Sequence, residues 1–359
     1  MTAARSGAAI RMPWAEPPAF GRPLRVAEAI HWVRLPLPMA LDHVNAYILE
    51  DEEGLTLVDP GLCDPATRSI WTALLDGPFA GRRVRRVIVT HHHPDHVGLA
   101  GWFVSDHGAE LMMSRTAWLL ARMMILDVQE RPARETVRHW RRGGMAPDIL
   151  ERRRNERPFN FADVSAPLPL GFTRLGEGDT LTAAGQQWQV RMGAGHAPAH
   201  VTLWSSDAPL VIGGDQLLAS ISPNLGLYAT EPEADPVEDW ITACTRLLDC
   251  ARDDQLVLPG HKLPFTGLPY RLRNLIDNHH AALGRLTDFL ATAHSAAECF
   301  DLLYRRPIRG GEYGLALVEA MAHCQHLHHR GIAWRRERAD GAWIFGTGPA
   351  PQGSPGPSG

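Results

Sequence analysis

The run VRRVIVT, residues 84–90, is a short apolar, β-branched stretch of the kind that forms a buried strand, and it passes without a break into HHHPDH. No other feature limits the possible folds as tightly. Four residues with metal-binding lone pairs, His91, His93, Asp95 and His96, fall within six positions at the end of a strand. At such an edge a rigid scaffold hands over to a loop, and functional groups are mounted there. Spaced two apart, His91 and His93 can face one first-row transition ion while Asp95 and His96 turn toward a neighbouring one. His92, between them, is expected to point the other way, as a structural residue or as a donor that orients a ligand. The bland alternative is a polar surface loop that happens to be rich in histidine.

A loop of this kind needs a core to hold it. The 359 residues are 45% apolar and 21% charged, which excludes a disordered, collagen-like or coiled-coil chain. Thirty-six Lys and Arg against 40 Asp and Glu give a net charge of -4, unlike the basic body of a dedicated nucleic-acid binder. Lys262 is the only lysine. The five cysteines, Cys63, Cys244, Cys250, Cys299 and Cys324, form no CxxC pair and read as reduced thiols. With no signal-peptide core near the start and no 18-residue apolar run, the expectation is a cytoplasmic chain without a membrane span. Residues 1–24, rich in Pro and Ala, and residues 346–359, GTGPAPQGSPGPSG, read as disordered tails.

Short apolar runs between about 27 and 60 predict consecutive strands and a hairpin, and ATRSIWTALLD predicts a helix. A helical insertion spans about 111–160. Within it nine arginines stand against four acidic residues from Arg131 to Arg157, a local charge of +5. β-like segments return through PLVIGGD, and LVLPGH closes the unit near residue 261. These strand runs are too numerous for a simple doubly wound sheet, so two sheets with helices outside are expected over 25–268. Residues 269–345 change character: a long helix, then helix, turn, helix and a hairpin around Asp340 and Gly341, together a small winged-helix-like domain.

The HxHxDH spacing resembles the metallo-β-lactamase superfamily, and three later stretches carry the likeness further. In GHAPAHVTLW, His200 matches the next metal histidine; in LVIGGDQLL, Asp215 matches the bridging aspartate; in LVLPGHK, His261 matches the last histidine. VNAYILEDEEGLTLVDPG is similar to the opening hairpin, where Asp59 would stand behind a ligand. Ala199 and Lys262 depart from the residues commoner at their positions. The resemblance implies an αββα metallo-β-lactamase sandwich in the α/β class, with the helical insertion and the winged-helix-like α+β domain appended. It further implies His91, His93 and His200 on one ion, Asp95, His96 and His261 on the other, and Asp215 between them. Two divalent ions, Zn2+ before Fe or Mn, would share a water and lower its pKa toward about 7. Asp95 is then the catalytic residue that orients the nucleophile and passes a proton to the leaving group.

Other residues read two ways. His196, four before His200, orients a ligand or packs in the loop; Asn224 and Tyr228 either offer donors to a developing oxyanion or hold a turn. The tract AHCQHLHHR, from His323 to His329, reads as a solvated helix face, since no paired acidic or cysteine partner stands near it. Arg141 and Arg142, in the Arg-dense block, belong to a solvated face, to a clamp for an anionic or coenzyme A-linked substrate, or to an RNA-binding patch. The favoured function is hydrolysis of an ester, thioester or lactone of a small organic acid by a metal-bridging hydroxide. The alternatives are phosphodiester hydrolysis as a single-strand RNA nuclease and, behind it, a metal-sensing winged-helix nucleic-acid-binding protein. The expected partner is a small molecule, with nucleic acid not favoured, no membrane, and a homodimer compatible with the sequence.

Overall fold

The computed structural model describes residues 9–308 and 310–349. In chain order these form β1 (Leu24–Ala27), β2 (Ile30–Pro36), β3 (His43–Asp51), β4 (Gly54–Val58), α1 (Pro65–Asp76), β5 (Val84–Ile88), α2 (Pro94–Val97), α3 (Ala100–His107), β6 (Glu110–Ser114) and α4 (Arg115–Leu126). There follow α5 (Arg134–Arg142), α6 (Pro147–Asn155), β7 (Thr173–Leu175), β8 (Thr180–Ala183), β9 (Gln186–Gly193), β10 (His200–Ser205), β11 (Leu210–Gly214), α7 (Pro236–Leu248) and β12 (Leu256–Pro259). The chain ends with α8 (Leu268–Phe289), β13 (His294–Ser295), α9 (Phe300–Tyr304), α10 (Tyr313–His329), β14 (Trp334–Glu337) and β15 (Trp343–Gly346). Two compact units result.

The first unit comprises residues 1–128, 159–223 and 243–273. Its two sheets run β1-β2-β3-β4-β5-β6-β7 and β12-β11-β10-β9-β8. The larger is antiparallel up to β4 and parallel from β4 to β7; in the smaller only β11 and β12 are parallel. Alternation along each strand builds two cores. On β2 and β3, Val33, Leu35, Val44, Ala46 and Ile48 join Trp71 of α1 and Phe103 of α3 on the helix side. Ile30, Trp32, Tyr47 and Leu49 face the opposite way, onto Trp188, Val190, Val201 and Leu203 of the second sheet. This is the expected mixed α/β sandwich. Asp64 caps α1 by accepting the Thr67 amide at 2.9 Å, with Pro65 in the first turn.

Part of the expected N-terminal tail is ordered. Arg11 pairs with Thr266, Trp14 meets Trp32 edge-on at 6.5 Å, and Phe20 lies 4.4 Å under the Arg34 guanidinium. One backbone bridge and two aromatic side chains thus anchor a segment whose Pro content alone suggested disorder. At the other end Gly346 completes β15, and the Gly348 carbonyl accepts the Trp334 indole N–H at 2.8 Å. Residues 1–8 and 350–359 lie outside the described residues.

The second unit gathers residues 129–158, 224–242 and 274–359, so it draws on the insertion as well as on the C-terminal segment expected to stand alone. Its sheet, β13-β15-β14, is antiparallel. The predicted hairpin is β14 and β15; the two-residue β13 left no periodic signal. The histidine tract on α10 is a correction to the sequence reading, because His323 and His326 are buried. His326 Nδ1 meets Asp235 at 3.0 Å, and His323 donates from Nδ1 to the Glu319 carbonyl while its Nε2 lies 3.4 Å from His279 Nδ1. Asp235 and His279 lie far off in sequence, so the spacing within the tract could not show them.

Candidate metal centre

Parallel pairing places the ends of β4, β5, β11 and β12 along one edge of the sandwich, and β10, antiparallel to β11, begins there. That edge carries Asp59, the His91–His96 loop, the approach to β10, Asp215 and His261. Their donor atoms converge in three overlapping groups within 4.8 Å: His91, His93 and His196; His91, His96 and Asp215; Asp95, His96 and His261. His91 Nε2 lies 2.9 Å from His93 Nδ1. Asp215 turns Oδ1 toward His96 Nε2 at 3.5 Å and Oδ2 toward His261 Nε2 at 3.2 Å and His196 Nε2 at 3.5 Å, so one carboxylate joins both ends of the cluster. Asp95 Oδ2 lies 3.6 Å from His96 Nε2 and 3.4 Å from His261 Nε2.

Hydrogen bonds behind the cluster fix which ring nitrogens carry lone pairs. His96 Nδ1 meets Asp59 Oδ2 at 2.8 Å, and His261 Nδ1 meets the His43 carbonyl at 2.8 Å. A carboxylate and a carbonyl only accept, so both Nδ1 atoms hold the proton and both Nε2 lone pairs face the cluster. The Thr90 hydroxyl donates to Asp59 at 2.8 Å and therefore accepts from His91 Nδ1 at 3.0 Å, which turns the His91 Nε2 lone pair inward too. His96 Nε2 and Asp215 Oδ1 are sealed from solvent with no hydrogen-bond partner. Orphaned acceptors this deep are costly unless a cation meets them. The residues therefore fit a dinuclear site of imidazole and carboxylate ligands.

The last histidine is held by a clamp that sequence reasoning missed. Asn45 Nδ2 donates to the Pro259 and Lys262 carbonyls at 2.9 and 2.8 Å, and its Oδ1 accepts the Trp32 indole N–H at 2.8 Å. The Tyr47 hydroxyl donates to the Pro259 carbonyl at 2.8 Å, and His43 Nε2 accepts the Lys262 amide at 3.0 Å. Polar residues at 43, 45 and 47, alternating with apolar ones in the buried part of β3, were the available signal. Gly260 is required by close approach, since a Cβ there would lie 2.2 Å from Asp215 Oδ1 and 2.8 Å from His96 Cε1.

Comparison with known proteins agrees with this geometry. Residues 39–261 match the metallo-beta-lactamase superfamily, and residues 283–348 match the metallo-beta-lactamase-like C-terminal domain. The chain belongs to the metallo-beta-lactamase superfamily. It is similar to a beta-lactamase domain protein of Burkholderia ambifaria, with a TM-score of 0.86 and 31% identity over 94% of this chain and 98% of that one. It is 25% identical over 255 residues to the probable metallo-hydrolase YqjP of Bacillus subtilis, covering 68% of this chain and 75% of the relative. A hydroxyacylglutathione hydrolase of Albidiferax ferrireducens is 24% identical over 189 residues, 52% of each chain. The protein is a metallo-hydrolase of this superfamily.

Six of the seven expected superfamily ligands, His91, His93, Asp95, His96, Asp215 and His261, meet in the cluster. His200 does not. It is the first residue of β10, buried against the sheet, where its ring stacks on His91 at 4.7 Å and its Nε2 accepts the Asp215 amide at 3.1 Å. His196, in the loop before the strand, takes the position expected for it. GHAPAH offered two histidines four apart, and the strand's start decides between them. Asp59 stands behind His96 as expected, with φ of 54°.

Asn224, Tyr228, Arg141 and Arg142 all belong to the second unit. The Asn224 amide donates to the Leu315 carbonyl and to Glu319, both at 3.1 Å, so its protons are committed to α10. Tyr228 is exposed. Arg142 lies 4.5 Å over the Trp343 ring, which Arg335 also approaches at 4.0 Å. Arg141 is exposed.

Burial, then neighbouring imidazoles, holds His91 and His93 well below the usual histidine range. Burial opposes charge on His96 and His261 as well, but Asp215 and Asp95 outweigh it, keeping His96 well above its ordinary value and His261 at about 10. A divalent ion competes with those two protons for the same lone pairs. Among the described residues no helix is long and apolar enough to cross a membrane.

Proposed function

We propose that this metallo-hydrolase cleaves a carboxylic thioester, ester or lactone of a small organic acid with two zinc ions. The observation that carries this reading is the donor set: five imidazoles and two carboxylates with no thiolate, three of the rings locked with Nε2 inward. Bound there, zinc would polarise an acyl carbonyl and acidify water. His91, His93 and His196 would hold one ion, Asp95, His96 and His261 the other, with Asp215 between them. Asp95, at 19% side-chain exposure the most open carboxylate of the cluster, accepts the proton of the attacking water and delivers it to the departing thiolate or alkoxide. Asp59 and the His43 carbonyl keep His96 and His261 from turning as charge develops. The hydroxyacylglutathione hydrolase relative, whose named substrate is a thioester, adds support for the acyl class.

A phosphodiester substrate is the second reading. It is favoured by Arg134, Arg138 and Arg141, exposed at helical i, i+4, i+7 spacing on α5. The deciding experiment assays an acyl-glutathione, an acyl-CoA, 4-nitrophenyl acetate, a homoserine lactone and a short single-stranded RNA with the zinc-loaded protein. Turnover of a thioester or ester, insensitive to salt, is expected. RNA cleavage alone, falling steeply between 50 and 200 mM salt, would replace the acyl reading with the nucleolytic one.

A further inference from the structure

Thr90 is the last residue before the HHHPDH loop, and it is fully buried. Both of its backbone groups are committed: the amide donates to Asp59 Oδ1 at 2.8 Å, and the carbonyl accepts the Val201 amide at 2.7 Å. The hydroxyl therefore has a fixed place, and two groups meet it there, Asp59 Oδ2 at 2.8 Å and His91 Nδ1 at 3.0 Å. Gly214, with φ of 47°, keeps room for it, since a Cβ there would lie 2.9 Å from the Thr90 oxygen.

A hydroxyl has one proton to give. Asp59, as a carboxylate, only accepts, so Thr90 donates to Asp59 and takes the proton of His91 Nδ1. Asp59 Oδ2 also receives the proton of His96 Nδ1, at 2.8 Å. One carboxylate oxygen is thus the end of two chains, His91 through Thr90 from one side and His96 directly from the other. In the proposed site His91 serves one ion and His96 the other. Among the described residues no arginine or lysine pairs with Asp59, which is 2% exposed. A carboxylate buried that deeply is costly unless positive charge is brought to the rings it holds.

We propose that Thr90 is a positioning residue, the relay through which the single carboxylate of Asp59 sets the proton of one ring on each metal ion. Without the hydroxyl, the His91 ring is free to carry its proton on Nε2, where it blocks the lone pair that ligation needs. The inference rests on the two-ion reading for the separate placement of His91 and His96, and it is independent of the substrate.

The ring protons provide the test. In the zinc-loaded full-length protein carrying 15N-labelled histidine, His91 and His96 should each show a slowly exchanging Nδ1–H resonance. Thr90→Val keeps the branched shape without the hydroxyl and should erase the His91 resonance while that of His96 persists; Thr90→Ser should restore it. Competition with a chromophoric chelator reads the ions. Thr90→Val should weaken one of the two zinc ions about 10–100-fold and leave the other within about threefold, and Thr90→Ser should match the wild type. Asp59→Asn, which the backbone tolerates at a φ of 54°, should weaken both ions. A wild-type protein in which His91 carries no Nδ1 proton would overturn the relay even if no variant folds. So would a Thr90→Val protein that keeps the resonance and both affinities, equal weakening of the two ions by Thr90→Val, or a Thr90→Ser protein as defective as Thr90→Val, which would assign the effect to packing. If the wild type holds a single zinc ion, the two-ion reading fails on its own, and the His91 resonance still decides the role of Thr90.

Discussion

Asn45 is the residue whose loss should reveal how the metal edge is held. It is 1% exposed and serves three partners at once: the Trp32 indole N–H and the carbonyls of Pro259 and Lys262. Asn45→Ala strips the Trp32 donor and the Lys262 acceptor of these bonds, while Pro259 keeps the Tyr47 hydroxyl. At about 1–3 kcal/mol for each buried group left unsatisfied, the cost is roughly 2–6 kcal/mol. Tyr47→Phe removes one bond from a carbonyl that retains Asn45, and should cost only about 1 kcal/mol. In a unit of this size, 1 kcal/mol moves Tm by about 2–4 °C, so Asn45→Ala should melt roughly 4–24 °C lower and Tyr47→Phe a few degrees lower. Thermal unfolding followed by circular dichroism measures both. Because the clamp positions His261, Asn45→Ala should also bind zinc more weakly. Equal melting shifts in the two variants, or an Asn45→Ala protein with unaltered melting and zinc affinity, would refute the clamp.

Replacing His196 with Gln should reduce bound zinc toward one ion per chain, while His200→Gln, which keeps an acceptor near the Asp215 amide, should retain two; elemental analysis separates them, and the reverse outcome would restore His200 as the ligand. Gly260→Ala must displace Asp215 or His96, so turnover should drop at least a hundredfold with the secondary structure intact; activity near wild type would show that the edge can yield. Buried His279 has its pKa pushed down to about 3, by burial first and then His323. Between about 3 and 6.5 the unfolded chain binds a proton that the folded chain refuses, so this stabilisation is complete above 6.5 and is lost as pH falls toward 3. The slope is about 1.4 kcal/mol per pH unit. Urea unfolding across that range should show His279→Gln with a shallower pH dependence by one proton; identical slopes would rule out the buried neutral imidazole.

The sandwich was legible because its strands carry period-two patterning, and the metal edge because HHHPDH follows one of them. What stayed hidden needed distance rather than pattern. Asn45 acts on Pro259 and Lys262 more than two hundred positions away. His196 and His200 were equivalent by spacing, and only the start of β10 turns one into the loop and the other against the sheet. The α10 histidines looked solvated because their partners, Asp235 and His279, come from other segments. A proline-rich N-terminal stretch looked disordered because composition does not show that Trp14 and Phe20 have partners waiting. The likeness to relatives helped most where it rested on a strand end and misled at the GHAPAH loop, where two histidines stand four apart.

The central claim, a dinuclear acyl hydrolase, meets its most direct test in one titration. Zinc is added back to chelator-stripped protein while acyl-glutathione hydrolysis is followed. The account predicts that the rate climbs to a plateau at two zinc ions per chain and that Asp95→Ala reaches the same protein concentration and fold with no plateau. Two bound ions without hydrolysis of any acyl substrate, or full activity at no added metal, would contradict it.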